Sequence, residues 1–287
     1  MAAKDDIGRA RGFLMSRPDY ESAKAVIFGI PMDWTTSFRP GTRLGPTRIR
    51  EASWGLEDYS FAVDRSLQDV PFYDWGDLEL PFGNVIAGLR IAAEATRRFL
   101  TDGKMPFMLG GEHLVSLPVI KEVKAKHEDL CVLHFDAHAD LRHQFFGEEL
   151  SHATVMRRVV EVIGRGNLYQ IGIRSGPKEE YEFAAENTHL LRGDFLTAVD
   201  QAIASIGERP LYISLDIDAV DPAFAPGTGT PEPGGCTSAE IIEAVHRLGK
   251  AKVVGFDLVE VSPAYDPSER TTVLAAKILR EAILSYC

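Results

Sequence analysis

Apolar runs and amphipathic stretches alternate along the chain. The runs 25–30, 106–109, 130–135, 168–173, 211–215 and 253–258 are almost entirely apolar and predict buried strands. The stretches 84–100, 114–126, 154–163, 198–206, 238–248 and 268–284 carry apolar residues at helical spacing and predict amphipathic helices. Ser238 follows Thr237 and precedes Glu240, a pattern typical of a helix N-terminus.

Strands interleaved with helices in this way predict an α/β fold. Because strands that are apolar throughout are buried on both faces, we expect a mainly parallel sheet covered by helices on both sides. No linker, low-complexity segment or internal repeat interrupts the pattern, so we expect a single domain over residues 1–287. Ligands of such sheets bind beyond the carboxyl ends of the strands, which is where the chemistry should lie.

The composition excludes several classes of protein. There are 31 basic and 42 acidic residues, giving a net charge of −11, which disfavours nucleic acid and anionic membranes as partners. The three cysteines show no paired spacing, as in reduced cytosolic proteins. The N-terminal MAAKDDIGRARGF lacks the apolar core of a signal peptide, and no run of about 18 apolar residues occurs. A cytoplasmic location is therefore expected.

Candidate metal ligands follow one of the apolar runs directly. In LHFDAHADLR, residues 133–142, Asp136, His138 and Asp140 come at alternate positions. Side chains at alternate positions of an extended chain point to one side, so these three form an arc of donor atoms. A turn that contains a hydrogen-bonded histidine is the alternative interpretation, but three potential ligands in alternation make it the weaker one.

Two other segments end apolar runs with further candidates. Asp216 and Asp218 lie two residues apart at the start of SLDIDAVDPAFAPGTGTPEPGG, and such converging carboxylates repel one another unless a cation lies between them. The Gly/Pro-rich remainder is interpreted as a rigid loop in a pocket wall. In MLGGEHLVSLP, His113 opens a helix after paired glycines that allow close backbone approach.

The charges of these candidates suit two metal ions. Four aspartates contribute about −4, two neutral histidines add nitrogen donors, and two divalent cations contribute +4. A bridging hydroxide would leave the centre slightly negative, which suits a cationic substrate. Mixed carboxylate and imidazole donors fit Mn²⁺ and could accept Fe, Co, Ni or Zn. Two aspartates that can each bridge suggest a pair about 3.5 Å apart, as in dinuclear hydrolases.

At these residues the chain resembles the arginase/agmatinase family, the ureohydrolases. The motifs that match are GGEH at 110–113, DAHAD at 136–140 and SLDIDAVDPAFAPGTGTPEPGG at 214–235. The resemblance extends from GIPMDWTTSFRPGTRLGPTRIREAS to VVGFDLVEVSP and is closest to short bacterial agmatinases. It implies a three-layer α/β/α fold with a mainly parallel central sheet and hydrolysis of a guanidino compound to urea and an amine.

The resemblance also implies roles for individual residues. One metal would be held by His113, Asp136, Asp140 and Asp216, and the other by Asp136, His138, Asp216 and Asp218. A hydroxide bridging the metals would attack the guanidinium carbon, and Asp140 would hold and deprotonate it. Glu260 would pair with the guanidinium, and His152 would be a proton shuttle for the leaving amine, with His143 as its competitor. His127, His134, His189 and His246 are expected to be structural or exposed.

The sequence does not determine which chemical group the substrate carries at the end away from the guanidinium. The position two residues beyond Asp140, where arginases carry an asparagine that binds the amino-acid end of arginine, is Arg142 here. Agmatine has no carboxylate, so agmatinase is the leading hypothesis and arginase is disfavoured. Arg142 could instead bind the carboxylate of 4-guanidinobutyrate, or form a salt bridge with Glu148 or Glu149. Phe145 and Phe146 could contact an aliphatic linker.

Two hypotheses from other classes are weaker. A catalytically silent, regulatory member of the family is expected to lack ligands, whereas all six are present. A dinuclear phosphoesterase needs cationic residues to meet phosphate, and the acidic motifs supply few. By analogy with the family, the chain is expected to form homotrimers or homohexamers.

Overall fold

The computed structural model describes residues 12–287, and an eight-stranded sheet in which every neighbouring pair is parallel lies at its centre. The strands are β1 (Ala25–Ile30), β2 (Tyr59–Ser60), β3 (Arg65–Ser66), β4 (Phe72–Asp77), β5 (Met105–Gly110), β6 (Cys131–Phe135), β7 (Leu168–Ile171), β8 (His189–Leu191), β9 (Leu211–Asp216) and β10 (Val253–Val259). The sheet order is β4-β1-β5-β10-β9-β6-β7-β8, and β2 pairs with β3 in a separate antiparallel hairpin. The predicted mainly parallel sheet is confirmed.

Helices cover both faces of the sheet. They are α1 (Gly45–Ser53), α2 (Val85–Thr101), α3 (Ser116–Lys126), α4 (Val155–Ile163), α5 (Lys178–Asn187), α6 (Phe195–Ile206), α7 (Ser238–Leu248) and α8 (Arg270–Tyr286). One hydrophobic core lies between the sheet and α1, α6, α7 and α8, and a second lies between the sheet and α2 to α5. The expected three-layer α/β/α arrangement is confirmed.

A local capping signal accounts for where α7 begins. Thr237 caps α7, accepting a hydrogen bond from the Glu240 N–H at 3.2 Å while the Glu240 carboxylate accepts one from the Thr237 N–H at 2.8 Å.

None of the described helices is long and apolar enough to cross a membrane. Most of the N-terminal segment from which the absence of a signal peptide was inferred lies outside the described residues.

A buried carboxylate on α8 holds three elements together. Glu281 accepts hydrogen bonds from Arg280, from Ser60 Oγ at 2.6 Å and from His246 Nε2 at 3.0 Å. Burial alone would raise the pKa of Glu281, but the hydrogen bonds from Arg280, Ser60 and His246 outweigh it and lower the pKa from 4.5 to about 2. The stabilisation is therefore complete above about pH 4.5 and is lost as the pH falls towards 2.

We expect Glu281→Gln to lower the free energy of unfolding near pH 7 by about 3 kcal/mol, because the depressed pKa measures how strongly folding favours the ionised carboxylate. The difference between wild type and variant should shrink between pH 4.5 and 2. Urea denaturation across this range measures it, with Glu94→Gln, an exposed helical carboxylate paired with Arg90, as the control. Parallel stability curves for wild type and Glu281→Gln would contradict the assignment.

Candidate metal centre

The predicted ligands meet at the carboxyl edge of the central strands. Asp136, His138 and Asp140 follow β6, Asp216 ends β9 with Asp218 just beyond it, and β6 pairs directly with β9. His113 follows β5, which lies two strands from β9 across β10. Three segments that are distant in sequence are thus brought together because parallel strands end at the same edge.

The first group of donors surrounds His113. Its Nδ1 lies 3.1 Å from Asp136 Oδ2, 3.2 Å from Asp216 Oδ2 and 3.5 Å from Asp140 Oδ2. All four side chains are buried. Three carboxylate oxygens therefore lie within 3.5 Å of one imidazole nitrogen.

The second group shares Asp136 with the first. His138 Nδ1 lies 3.0 Å from Asp218 Oδ2 and 3.4 Å from Asp136 Oδ1. Donor atoms of Asp136, His138 and Asp218 can be chosen that all lie within 4.8 Å of one another. The two oxygens of Asp136 thus face different groups, as a bridging carboxylate requires.

The electrostatics of the cluster fit bound cations. Burial, together with the charges of Asp218 and Asp136, raises the pKa of Asp216 well above its usual value. Burial and the charge of Asp136 likewise raise the pKa values of Asp140 and Asp218. Buried carboxylates in mutual contact are costly unless cations neutralise them, so this donor set is suited to divalent metal ions.

The backbone at these positions is constrained. Asp140 and Glu260 have left-handed φ values of 54° and 62°, uncommon for residues other than glycine and typical of sites where the surroundings fix a side chain. A Cβ on Gly111 would lie 2.0 Å from the Met32 carbonyl oxygen, so only glycine fits there. The predicted close approach at the paired glycines is therefore present at Gly111.

Hydrogen bonds behind the donors orient two of them. His113 Nε2 lies 2.9 Å from Ser214 Oγ, which itself donates to Asp257 Oδ1 at 2.7 Å. This contact leaves His113 Nδ1 to face the carboxylates. Sequence reasoning missed Ser214 and Asp257, and no local spacing marks them.

His134 was predicted to be structural or exposed, and it is fully buried against the cluster. Its Nε2 lies 2.8 Å from Asp136 Oδ2, and its Nδ1 lies 3.1 Å from Gln170 Nε2. The same Gln170 Nε2 donates to the Ala139 carbonyl at 2.9 Å, which identifies it as the amide nitrogen, a group that only donates. His134 Nδ1 therefore accepts a hydrogen bond from Gln170, and His134 Nε2 donates one to Asp136. His134 precedes Asp136 by two residues, the same alternation that identified the ligands.

A cavity of about 240 Å³ opens from the cluster and contains the remaining predicted residues, His152, Glu260 and Arg142. His152 Nε2 lies 3.3 Å from Ser37 Oγ, and burial lowers the pKa of His152 to about 4. The ring is therefore neutral near pH 7. His143, the competing candidate, does not line this cavity and lies 3.4 Å from Arg158.

Glu260, a carboxylic acid, and Arg142, a permanent cation, border the same cavity. Glu260 Oε1 accepts a hydrogen bond from the His113 N–H at 2.8 Å, and burial raises the pKa of Glu260 to about 8. A cationic partner would stabilise its ionised form. The Arg142 guanidinium lies 5.0 Å from the centroid of the Phe145 ring, and it forms no salt bridge within the described part of the chain.

Comparison with known proteins agrees with this geometry. The profile of the arginase family matches residues 23–285. An agmatinase from Bacillus subtilis is 49% identical over 98% of both chains, and a guanidinobutyrase from Pseudomonas aeruginosa is 35% identical over 94% of this chain and 88% of its own. The crystal structure of agmatine ureohydrolase of Thermoplasma volcanium has a TM-score of 0.89 and 35% identity, covering 98% of this chain and 95% of that one. The chain therefore belongs to the arginase family.

Proposed function

We propose that this protein is an agmatinase, which hydrolyses agmatine to putrescine and urea. The reaction class is inferred from one observation: the buried Glu260 carboxylate lines the same cavity as two overlapping groups of metal donors. A planar guanidinium can donate two hydrogen bonds to a carboxylate, so the cavity suits a cationic guanidino substrate. The 49% identical relative from Bacillus subtilis supports agmatine in particular.

Two divalent metal ions, with manganese as the expected species, belong to this proposal. His113, Asp136, Asp140 and Asp216 would hold one, and Asp136, His138, Asp216 and Asp218 would hold the other. When bound, such a pair lowers the pKa of water and makes hydroxide available near neutral pH. Metal analysis of the purified protein should find about two ions per chain, whereas none after manganese loading would support the catalytically silent alternative.

The side chains around the metals complete the proposed chemistry. Glu260 orients the guanidinium carbon towards the cluster, and Asp140 accepts the proton of the attacking water. His152, neutral near pH 7, relays a proton from solvent to the leaving amine, and Asp140 returns the proton that it accepted to solvent, so that no net proton is consumed. One water is consumed, the carbon–nitrogen bond to the alkyl chain breaks, and urea and the diamine leave.

A urea-release assay of the purified, manganese-loaded protein tests the assignment. Agmatine, arginine and 4-guanidinobutyrate should be compared over a range of concentrations. We expect the highest kcat/KM with agmatine. A higher kcat/KM with 4-guanidinobutyrate would replace agmatinase by guanidinobutyrase, and the absence of urea from all three would remove the proposal.

Substitution of Arg142 tests which chemical group the substrate carries at the end away from the guanidinium. Its guanidinium is not neutralised by Glu148 or Glu149, the salt-bridge partners that the sequence suggested, and Glu149 instead lies 3.9 Å from Arg158. We expect Arg142→Gln to lower kcat/KM for 4-guanidinobutyrate about tenfold, since a charged hydrogen bond to the carboxylate is lost. The value for agmatine should change by less than about threefold. Equal losses with both substrates would show that Arg142 does not contact the tail.

Wider properties follow from the same proposal. The chain is expected to act as a single domain over residues 1–287, in the cytoplasm, as a homotrimer or homohexamer. The exposed Phe82, Ile86 and Phe146 are apolar surface of the kind that contacts between subunits bury. Light scattering of the purified protein measures the number of chains.

A further inference from the structure

The imidazole of His152 is held mainly by residues of one segment. Its Nε2 lies 3.3 Å from Ser37 Oγ, and the backbone of Thr35 also interacts with the ring. The Phe145 ring meets it edge-on, with 5.6 Å between ring centroids. The orientation of this ring therefore depends on the segment that carries Ser37.

That segment, residues 34–37, is anchored on a buried carboxylate. Glu112 is fully buried and accepts hydrogen bonds from the Trp34 N–H at 3.2 Å and from the Thr35 N–H at 2.9 Å. The Thr35 hydroxyl also contacts Glu112. Glu112 follows β5 next to His113, so the segment is tied to the same strand end as the metal donors.

The Thr35 hydroxyl connects this anchor to His152. The backbone N–H of His152 lies 3.1 Å from Thr35 Oγ1. Because a backbone N–H can only donate, the hydroxyl oxygen of Thr35 is the acceptor of this hydrogen bond. The proton of the hydroxyl is then directed to Glu112. One side chain thereby joins the segment, its buried anchor and the backbone of His152.

We propose that Thr35 is a positioning residue that holds His152 over the cavity for proton transfer. The inference rests on the proposed function, in which His152 relays the proton to the leaving amine. Thr35 acts through His152 and the 34–37 segment, since it is not among the residues that line the cavity of the metal donors and Glu260. Ser37 provides a side-chain contact to the ring itself.

Substitution of Thr35 by valine removes both hydroxyl contacts and preserves the shape of the side chain. We expect kcat to fall about tenfold to a hundredfold, since small misplacement of a catalytic group has effects of this size. KM should change by less than about threefold and metal content should not change. Thr35→Ser should restore kcat. Thr36→Val is the matched control, because the Thr36 hydroxyl donates only to the Asp33 carbonyl, at 3.1 Å.

A double-mutant cycle with His152→Asn distinguishes positioning from a general structural role. If Thr35 acts through His152, Thr35→Val should slow the His152→Asn protein no further. Multiplicative losses in kcat, or a Thr35→Val protein as active as wild type, would overturn the inference. If Thr35→Val fails to fold, Ser37→Ala tests the same idea, since it removes the ring contact without disturbing Glu112.

A readout without turnover separates this inference from the proposed reaction. In protein loaded with diamagnetic Zn²⁺, which avoids the broadening that paramagnetic Mn²⁺ causes, the ¹⁵N resonances of the His152 ring can be identified by their loss in His152→Asn. They should shift or broaden in Thr35→Val and remain unchanged in Thr36→Val. Unchanged ring resonances in Thr35→Val would reject the positioning role even if the wild-type protein released no urea from any of the guanidino compounds.

Discussion

Replacing Asp136 with alanine is expected to remove both metal ions and to reduce turnover by about four orders of magnitude, the scale of losing metal activation of water. Asp136 is the residue whose two oxygens face the two donor groups, 3.1 Å from His113 Nδ1 and 3.4 Å from His138 Nδ1. Metal content by elemental analysis and urea release by the loaded protein are the measurements. Asp216→Ala should behave in the same way if Asp216 also bridges.

A variant that removes a ligand of only one metal provides the comparison for Asp136→Ala. His138 belongs to the second group alone, so His138→Ala should leave about one metal ion per chain. Asp200→Ala, which removes an exposed carboxylate paired with Arg247, controls for the loss of charge. Near-normal manganese content in Asp136→Ala would refute the bridging assignment, and equal metal loss in His138→Ala would show that the two sites are not separable.

The interior of the fold was predictable because its strands are buried on both faces. β1, β5, β6 and β9 appear in the sequence as continuous apolar runs, and the structure places them with β10 among the inner strands of the sheet. The edge strands β4 and β8 were missed. The first contains aspartates and a glycine, and the second has only three residues, so neither carries a pattern that differs from a loop.

Two helices were missed for a related reason. α1 begins Gly-Pro, and both α1 and α5 are mostly polar, so few apolar residues identify either segment as a helix. The omission of α5 concealed Glu180, which borders the cavity and accepts a hydrogen bond from the Leu141 N–H at 2.7 Å. The sequence therefore did not predict Glu180 as part of the wall of the candidate site.

Most donors of the candidate site were predictable from alternate spacing at a strand end, whereas the residues that support them depend on pairing between strands. Asp257 lies directly opposite Ser214 in the β9–β10 register, and Gln170 lies directly opposite His134 in the β6–β7 register. Register is determined by the packing of the whole sheet and is not written in any local pattern. The contacts that orient His113 and Asp136 therefore required the structure.

Exchange of Glu260 for glutamine is expected to lower kcat/KM by about a thousandfold while leaving the metals in place, because the guanidinium loses its buried ionic partner. Glutamine can still accept the hydrogen bond that Glu260 Oε1 receives from the His113 N–H. Its amide nitrogen, however, would present a donor to a substrate that only donates. Steady-state kinetics with agmatine and metal analysis of the same preparation measure the two effects separately.

Two variants make the result interpretable. Glu260→Asp keeps the charge, and aspartate tolerates the left-handed φ of 62° at this position, so it should recover part of the loss. Glu148→Gln changes the same charge in the loop beyond Arg142 and should have little effect. Retention of near-normal kcat/KM in Glu260→Gln would exclude Glu260 as the guanidinium partner. Loss of metal from that variant would instead show that the charge of Glu260 supports the metal centre.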